Sequence, residues 1–166
     1  MTQDLLVLFL REIDALRREV DLYPTDAALW KEHPGLPNSG GTLVMHLAGN
    51  LRHFIGGVLG RSAYVRDRNE EFSRRDVPKA ELLGLIAAAR REVAAALDDL
   101  QPGRLAAPFD GLPVQDRTMT TNLFLLHLLS HLGYHLGQID YHRRVTTGDP
   151  VSAKTLPLSG LGTPTG

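Results

Sequence analysis

Apolar residues recur at the three- and four-residue spacing of an amphipathic α-helix along four long segments of the chain. These segments cover about residues 3–22, 41–60, 76–100 and 120–146. In the first segment the spacing places five apolar residues on one face: Leu5, Phe9, Ile13, Leu16 and Val20. No stretch alternates apolar and polar residues over the length of a strand, and no internal repeat is present. The pattern therefore predicts helices only.

Four long amphipathic segments in a chain of 166 residues predict a single all-α domain, built as a four-helix bundle. The connections are longer than the short loops of a simple up-and-down bundle, so we expect at least one crossover connection. Trp30, in the first connection, is expected to close one end of the core. The predicted bundle covers residues 1–150, and residues 151–166, which lack helical periodicity, are expected to form an irregular tail.

Capping and helix-breaking residues mark the ends of the segments. Pro24 ends the first helix and Gly148 the fourth, because proline lacks the amide donor and glycine suits the position after a helix. Asn38 or Ser39 is predicted to cap the second helix, since both side chains accept a hydrogen bond from a free backbone amide. Asp76 is predicted to cap the third helix for the same reason.

Composition and charge exclude several classes of function. The net charge is -1 and no helix carries a basic stripe, which argues against a nucleic-acid-binding protein. The mixed-charge runs "REIDALRREVD" and "RDRNEEFSRRD" are predicted to be solvated surface. The chain has no cysteine, so disulfides, thiolate ligands and a cysteine nucleophile are excluded. The uncharged window 118–139 contains three histidines and two side-chain amides, which are costly in lipid, so we expect a cytoplasmic protein without a membrane partner.

The fourth segment carries a row of histidines in "HLLSHLGYHLGQ", residues 127–138. On a helical wheel His135 lies furthest inward, His131 lies at the edge of the apolar face, and His127 points toward solvent. Two histidines four residues apart on one helix face can hold the same metal ion. His131 and His135 are therefore candidate ligands, and a third ligand must come from another segment.

The second segment offers that third ligand in "HLAGNLRH". His46 and His53 both flank its apolar face, with Asn50 between them, and spacing alone favours neither histidine. His33 and His142 are expected to be ordinary hydrogen-bonding residues.

The blocks "LVMHLAGNLRHF", "RDRNEEF" and "HLGYHLGQI" resemble the DinB-like superfamily of bacterial four-helix-bundle proteins. The resemblance covers about residues 5–148 and implies metal ligation by His46, His131 and His135. It implies a homodimer as well. Gln138 follows the family pattern and is a candidate to hydrogen-bond near the metal. Asn50, four residues after His46, is a second candidate to hydrogen-bond near the metal. Because this position holds an asparagine, the sequence does not assure a carboxylate near the metal.

Three neutral imidazoles leave a divalent ion its full charge and at least one open position, where the pKa of a bound water or thiol falls. Nitrogen ligands suit Zn²⁺, our first expectation, with Ni²⁺ and Fe²⁺ as alternatives. The absence of a carboxylate ligand argues against a two-histidine, one-carboxylate iron oxygenase. Asn50, Tyr134 and Arg52 are candidates to orient a substrate.

Two classes of function remain open on these residues. For some members of the superfamily, the resemblance implies transfer of a low-molecular-weight thiol onto an electrophilic substrate, whereas other members resemble metal-dependent hydrolases. The alternative is a non-catalytic bundle that a metal ion stabilises and that acts through dimer or partner contacts. No nucleophile motif accompanies the histidines, which argues against a serine hydrolase.

Overall fold

The computed structural model of the protein describes residues 2–112, 116–154 and 161. Within these residues the chain is helical and contains no strand, only an isolated bridge between Pro108 and Thr120. The helices are α1 (Thr2–Asp21), α2 (Asp26–Leu29), α3 (Gly40–Leu51), a π-helical segment (Arg52–Leu59), α4 (Arg68–Ser73), α5 (Lys79–Asp98), α6 (Pro102–Ala106) and α7 (Thr121–Thr147). The predicted all-α class is confirmed.

The long helices build one core. α1 and α3 each pack against both α5 and α7, and the π-helical segment packs against α5. All five residues of the predicted apolar stripe of α1 are buried. Trp30 is also buried, and its Nε1 donates a hydrogen bond to the carbonyl oxygen of Val77 at 3.0 Å, so it closes the core from the first connection as predicted.

The second predicted helix changes its geometry halfway along. α3 ends at Leu51, and the chain continues without a break as the π-helical segment Arg52–Leu59. The amide of Gly60 donates to the carbonyl oxygen of Ile55, five residues earlier, at 2.9 Å. π-Helical turns are rare and frequently occur beside functional sites. Here the π-helical hydrogen bonding begins at Arg52, directly after the last residue of α3.

Side-chain caps start four of the described helices, namely α2 at Thr25, α3 at Ser39, α4 at Asp67 and α7 at Thr120. The cap at Ser39 is as predicted. Ser39 Oγ accepts from the amide of Thr42 at the start of α3, and Thr120 Oγ1 accepts from the amide of Leu123 at the start of α7. The prediction for Asp76 is wrong, because its φ of 55° belongs to a turn that precedes the helix. α5 begins at Lys79 instead, and its amide donates to Asp26 Oδ1, which comes from α2.

The mixed-charge runs are not wholly solvated, contrary to the prediction. In the first run Glu12 and Glu19 are buried, and in the second Glu71 is buried. Glu19 accepts a hydrogen bond from Arg143 Nε of α7 at 2.6 Å, and both side chains are completely enclosed. A buried carboxylate needs such a partner, because an unpaired charge is very costly inside a protein.

The start of the predicted tail lies against the helices. Ala153 is buried, and its carbonyl oxygen accepts from Arg18 Nε at 2.8 Å. The carbonyl oxygen of Val151 accepts from Arg143 Nη2 at 2.7 Å. Apart from residue 161, the rest of the predicted tail lies outside the described residues. None of the described helices is both long enough and apolar enough to cross a membrane.

Candidate metal centre

Three of the predicted histidines lie together between α3 and α7. His46 comes from the middle of α3, and His131 and His135 come from neighbouring turns of α7. Each residue offers one ligand atom, and these atoms lie within 4.8 Å of one another. Between His46 Nε2 and His131 Nε2 the distance is 3.2 Å. The structure thus selects His46 over His53 as the residue of the second segment that joins the pair.

The two helices hold these imidazoles in place through their apolar faces. Every residue of α3 is buried, so its backbone cannot rotate without disturbing the core. On α7 the histidines alternate with three buried leucines: Leu128, Leu132 and Leu136. His46 is 7% exposed, whereas His131 and His135 are half-buried and His127 is exposed. His127 is the most exposed of the three histidines in the row, as the helical wheel predicts, whereas His131 and His135 do not differ in burial in the way that the wheel predicts.

The arrangement of the three rings fits a divalent ion. Two nitrogens that bind one tetrahedral Zn²⁺ at its usual bond lengths lie about 3.3 Å apart, close to the 3.2 Å between His46 and His131. The planes of the three ring pairs cross at 75°, 83° and 87°, so the rings meet edge to face instead of stacking. An all-nitrogen donor set of this kind suits Zn²⁺, Ni²⁺ or Fe²⁺.

A carboxylate from α4 orients His46. The Nδ1–H group of His46 donates to Glu71 Oε2 at 3.0 Å, which leaves the lone pair on Nε2 free to bind a metal. Arg66 clamps the same carboxylate through two hydrogen bonds, from Nε to Oε1 at 2.7 Å and from Nη2 to Oε2 at 2.8 Å. Phe72, the next residue of α4, packs against the imidazole ring of His46.

Glu71 carries a negative charge in this environment. Burial raises the pKa of its carboxyl group, but the hydrogen bonds from Arg66 and His46 outweigh that effect, and the pKa lies below its ordinary value. An ionised carboxylate is a strong acceptor for the His46 Nδ1–H group and makes the opposite nitrogen a better ligand.

Gly49 makes this approach of α4 to α3 possible. A Cβ atom at position 49 would collide with Oε1 of Glu71, so only glycine leaves room for the carboxylate. Gly49 lies three residues after His46 on α3, so the Glu71 carboxylate passes over this glycine to reach the histidine.

An amide orients the second ligand. The Nδ1–H group of His135 donates to Gln138 Oε1 at 2.6 Å, so the lone pair of His135 lies on Nε2. Gln138 follows His135 by three residues on α7, where the two side chains are neighbours. His46 and His135 are therefore held in the same tautomer by different partners.

His131 lies between these two oriented ligands. Burial, with smaller contributions from His135 and His46, lowers the pKa of His131 to about 4. Burial also lowers the pKa of His135, and the hydrogen bond to Gln138 opposes that effect only in part. Both imidazoles are therefore neutral near pH 7, the form that binds metals. Nδ1 of His131 is buried and has no hydrogen-bond partner among the described residues.

A family model of the DinB superfamily matches residues 8–139. The chain belongs to the DinB superfamily. The match spans most of the chain and includes the three histidines together with Glu71 and Gln138. Comparisons with curated proteins and with solved structures found no match to the chain.

The other histidines of this DinB-superfamily protein lie outside the centre. His142 bonds through Nδ1 to the hydroxyl group of Tyr23 at 2.7 Å and through Nε2 to the carbonyl oxygen of Lys31 at 2.8 Å. His33 Nε2 lies 2.8 Å from Thr146 Oγ1. Both are hydrogen-bonding residues, as predicted. His53 is half-buried in the π-helical segment and does not belong to the metal-binding group.

The three candidates for substrate orientation have different surroundings. Asn50 lies one turn after His46 and is 8% exposed, and its Oδ1 has no hydrogen-bond partner among the described residues. Tyr134 is exposed and its ring meets the edge of His135 at 5.1 Å between centroids. Arg52 is engaged elsewhere, with Glu92 at 2.8 Å and with the ring of Tyr64.

Sequence reasoning missed Glu71 and Arg66 as residues of the candidate metal centre. Both lie in "RDRNEEF", a block that resembles the family but whose mixed charge predicts solvated surface. The helix α4 was also missed, because six residues give too short a pattern to recognise. The family resemblance of this block was the signal that could have identified these two residues, whereas the charge pattern gave none.

Proposed function

We propose that this protein binds one divalent metal ion through His46, His131 and His135 and uses it to activate a small nucleophile. The observation that carries the proposal is the convergence of three imidazoles, two of which have Nδ1 beside a hydrogen-bond acceptor. Zn²⁺ is the proposed ion, with Ni²⁺ and Fe²⁺ as the alternatives, and the proposed architecture is a four-helix bundle with a crossover.

The side chains of this protein prepare the site for the ion. Glu71 and Gln138 engage the Nδ1 atoms of His46 and His135, so Nε2 is the nitrogen of each ring that is available to an ion. Arg66 neutralises Glu71, so the site gains no net negative charge from the carboxylate. A divalent ion held there lowers the pKa of a thiol or water that it binds, which makes the nucleophile available near neutral pH.

The finer proposal is transfer of a low-molecular-weight thiol onto an electrophilic substrate. Its support is the superfamily membership. The absence of cysteine is compatible with it, since the sulfur would come from a cosubstrate. Hydrolysis would use the same ion with water as the nucleophile. A homodimer is also proposed, and light scattering of the purified protein tests it.

A non-catalytic role is the second candidate, and one feature favours it. Through Glu71, the histidine group joins α3, α4 and α7, so an ion bound there would stabilise the fold. In that case removing the ion with a chelator lowers the melting temperature, and no thiol reacts faster with the metal-loaded protein than with the metal-free one.

Metal analysis tests the site directly. Purified protein is expected to contain a single ion per chain, and His131→Ala is expected to contain none. His127→Ala is the matched control, because it removes an exposed histidine one turn away on the same helix and should keep the ion. Equal metal content in the His131 and His127 variants would contradict the proposal. A panel of thiols with a common electrophile then distinguishes the transferase from the non-catalytic role.

A further inference from the structure

A cavity of about 190 Å³ opens beside the histidine group at the interface of α3 and α7. Leu43 of α3 lines it, and the loop between α2 and α3 covers it. The remaining lining residues come from that loop and from one face of α7: Leu36, Pro37, Asn38, Gln138, Tyr141, His142 and Val145. Three of the large apolar side chains at its rim, Leu36, Tyr141 and Val145, are exposed to solvent.

On both helices, residues that line the cavity lie about one turn from the candidate ligands. Leu43 precedes His46 by three residues on α3, and Gln138 follows His135 by three residues on α7. Three residues of a helix span about 4.5 Å, so the cavity begins about one helical turn from the histidine group, and Gln138 links the two by its hydrogen bond to His135. A larger cleft, of about 900 Å³, lies at the π-helical segment, and none of the three histidines lines it.

Gln138 contributes hydrogen-bond donors to the lining of the cavity. Its Oε1 accepts from His135, so the amide orientation is fixed and the Nε2 atom keeps two N–H donors. No group among the described residues accepts from this nitrogen. His142 cannot compete as a donor, because Tyr23 and Lys31 occupy both of its ring nitrogens.

We infer that this cavity binds the apolar end of the electrophilic substrate, an aryl or branched alkyl group that carries a hydrogen-bond-accepting oxygen. A volume of about 150 Å³ holds a benzene ring, so the cavity accommodates an aromatic group and little more. The apolar rim excludes water from that group, and the Gln138 amide donates to its oxygen. The inference rests on the proposed function, because it places the electrophile beside the activated nucleophile.

Binding of two small probes to the full-length, metal-loaded protein tests the inference. Acetophenone has a carbonyl oxygen, and isopropylbenzene has nearly the same shape without an acceptor. Ligand-detected nuclear magnetic resonance is expected to show saturable binding of both, with acetophenone bound more tightly. Gln138→Glu keeps an acceptor for His135 and removes the N–H donors. It should therefore weaken the binding of acetophenone about tenfold and leave the binding of isopropylbenzene nearly unchanged.

Filling the cavity provides the second arm. Val145→Trp places a large ring at the rim and should abolish binding of both probes. Leu123→Trp alters an exposed leucine at the other end of α7 and should leave binding unchanged. The inference is overturned if neither probe binds, or if Val145→Trp binds them as well as the unaltered protein does.

Metal content, measured in the same samples, separates this inference from the proposed function. If His131→Ala loses no metal but the probes bind and Val145→Trp abolishes that binding, the metal proposal fails and the cavity assignment stands. If metal binding follows the prediction but Gln138→Glu and Val145→Trp leave the binding of both probes unchanged, the cavity assignment alone is wrong.

Discussion

At the scale of single residues, the site depends on which ring nitrogen of each histidine carries the proton. The Nδ1–H group of His46 donates a hydrogen bond to a buried carboxylate, and that of His135 donates to an amide oxygen. A carboxylate partner makes the opposite nitrogen a stronger ligand than an amide partner does. His46 is therefore expected to bind the ion more strongly than His135.

Glu71→Gln tests the contribution of the carboxylate. The change keeps the size of the side chain but removes the charge that orients and strengthens His46. We expect the metal affinity to fall by about 10- to 100-fold, measured by competition with a chelator. Glu70→Gln, at the exposed neighbouring position, is the control and should leave the affinity unchanged. Equal affinities in the two variants would show that Glu71 does not tune the site.

Gly49→Ala tests the close approach of α4 to α3. The added methyl group would collide with Glu71, so the carboxylate must move away from His46. We expect a loss of about 1–3 kcal/mol in the free energy of unfolding together with weaker metal binding. Gly133→Ala is the control, because its Cβ would meet open space and alanine favours a helix by about 1 kcal/mol. Wild-type metal affinity in Gly49→Ala would rule out the steric argument.

The lowered pKa of His131 gives the metal-free protein a defined dependence on pH. The unfolded chain binds a proton at this residue below its ordinary pKa of 6.5, whereas the folded protein binds it only near pH 4. Stability therefore falls as the pH decreases from about 6.5 to 4, because the unfolded state holds more protons in that range. Urea unfolding at several pH values should show a weaker dependence in His131→Ala than in His127→Ala. The same slope in both variants would contradict this assignment.

At the scale of elements, the long helices could be predicted and the short ones could not. The five-residue apolar stripe of α1 and the leucines of α7 repeat over many turns, so their helical spacing stands out in the sequence. α4 has six residues and is held by contacts of Glu71 and Phe72 with a histidine far away in the chain. Contacts of that kind leave no periodic pattern in the sequence. The π-helical segment could not be predicted either, because it continues the apolar spacing of α3 and therefore looks like more α-helix in the sequence.

Buried charges were also beyond a single sequence, because each partner lies far along the chain. Glu19 and Arg143 are 124 residues apart in the sequence, yet in the fold they form a fully enclosed pair. Burial raises the pKa of Glu19, and the hydrogen bond and charge of Arg143 oppose that rise. In the sequence both residues look the same as the solvated charges beside them.

Arg143→Met tests this buried pair between α1 and α7. The variant leaves Glu19 enclosed without its partner, and we expect a loss of about 3–5 kcal/mol in the free energy of unfolding. Arg144→Met removes a partly exposed arginine that pairs with Asp140 and should cost less than about 1 kcal/mol. Urea unfolding measures both changes. A loss in Arg143→Met no larger than in Arg144→Met would show that the pair contributes little.

At the scale of the whole molecule, the candidate ligands and the groups that tune them belong to different parts of the fold. His46, His131 and His135 stand on helices whose other faces build the core, so their positions are tied to the stability of the protein. Glu71 and Arg66 stand on the connection between the π-helical segment and α5. If the proposed site holds an ion, mutations in that connection are expected to change the strength of metal binding while the core stays intact. Related chains could therefore diverge in metal preference through this connection alone, with the same three histidines retained.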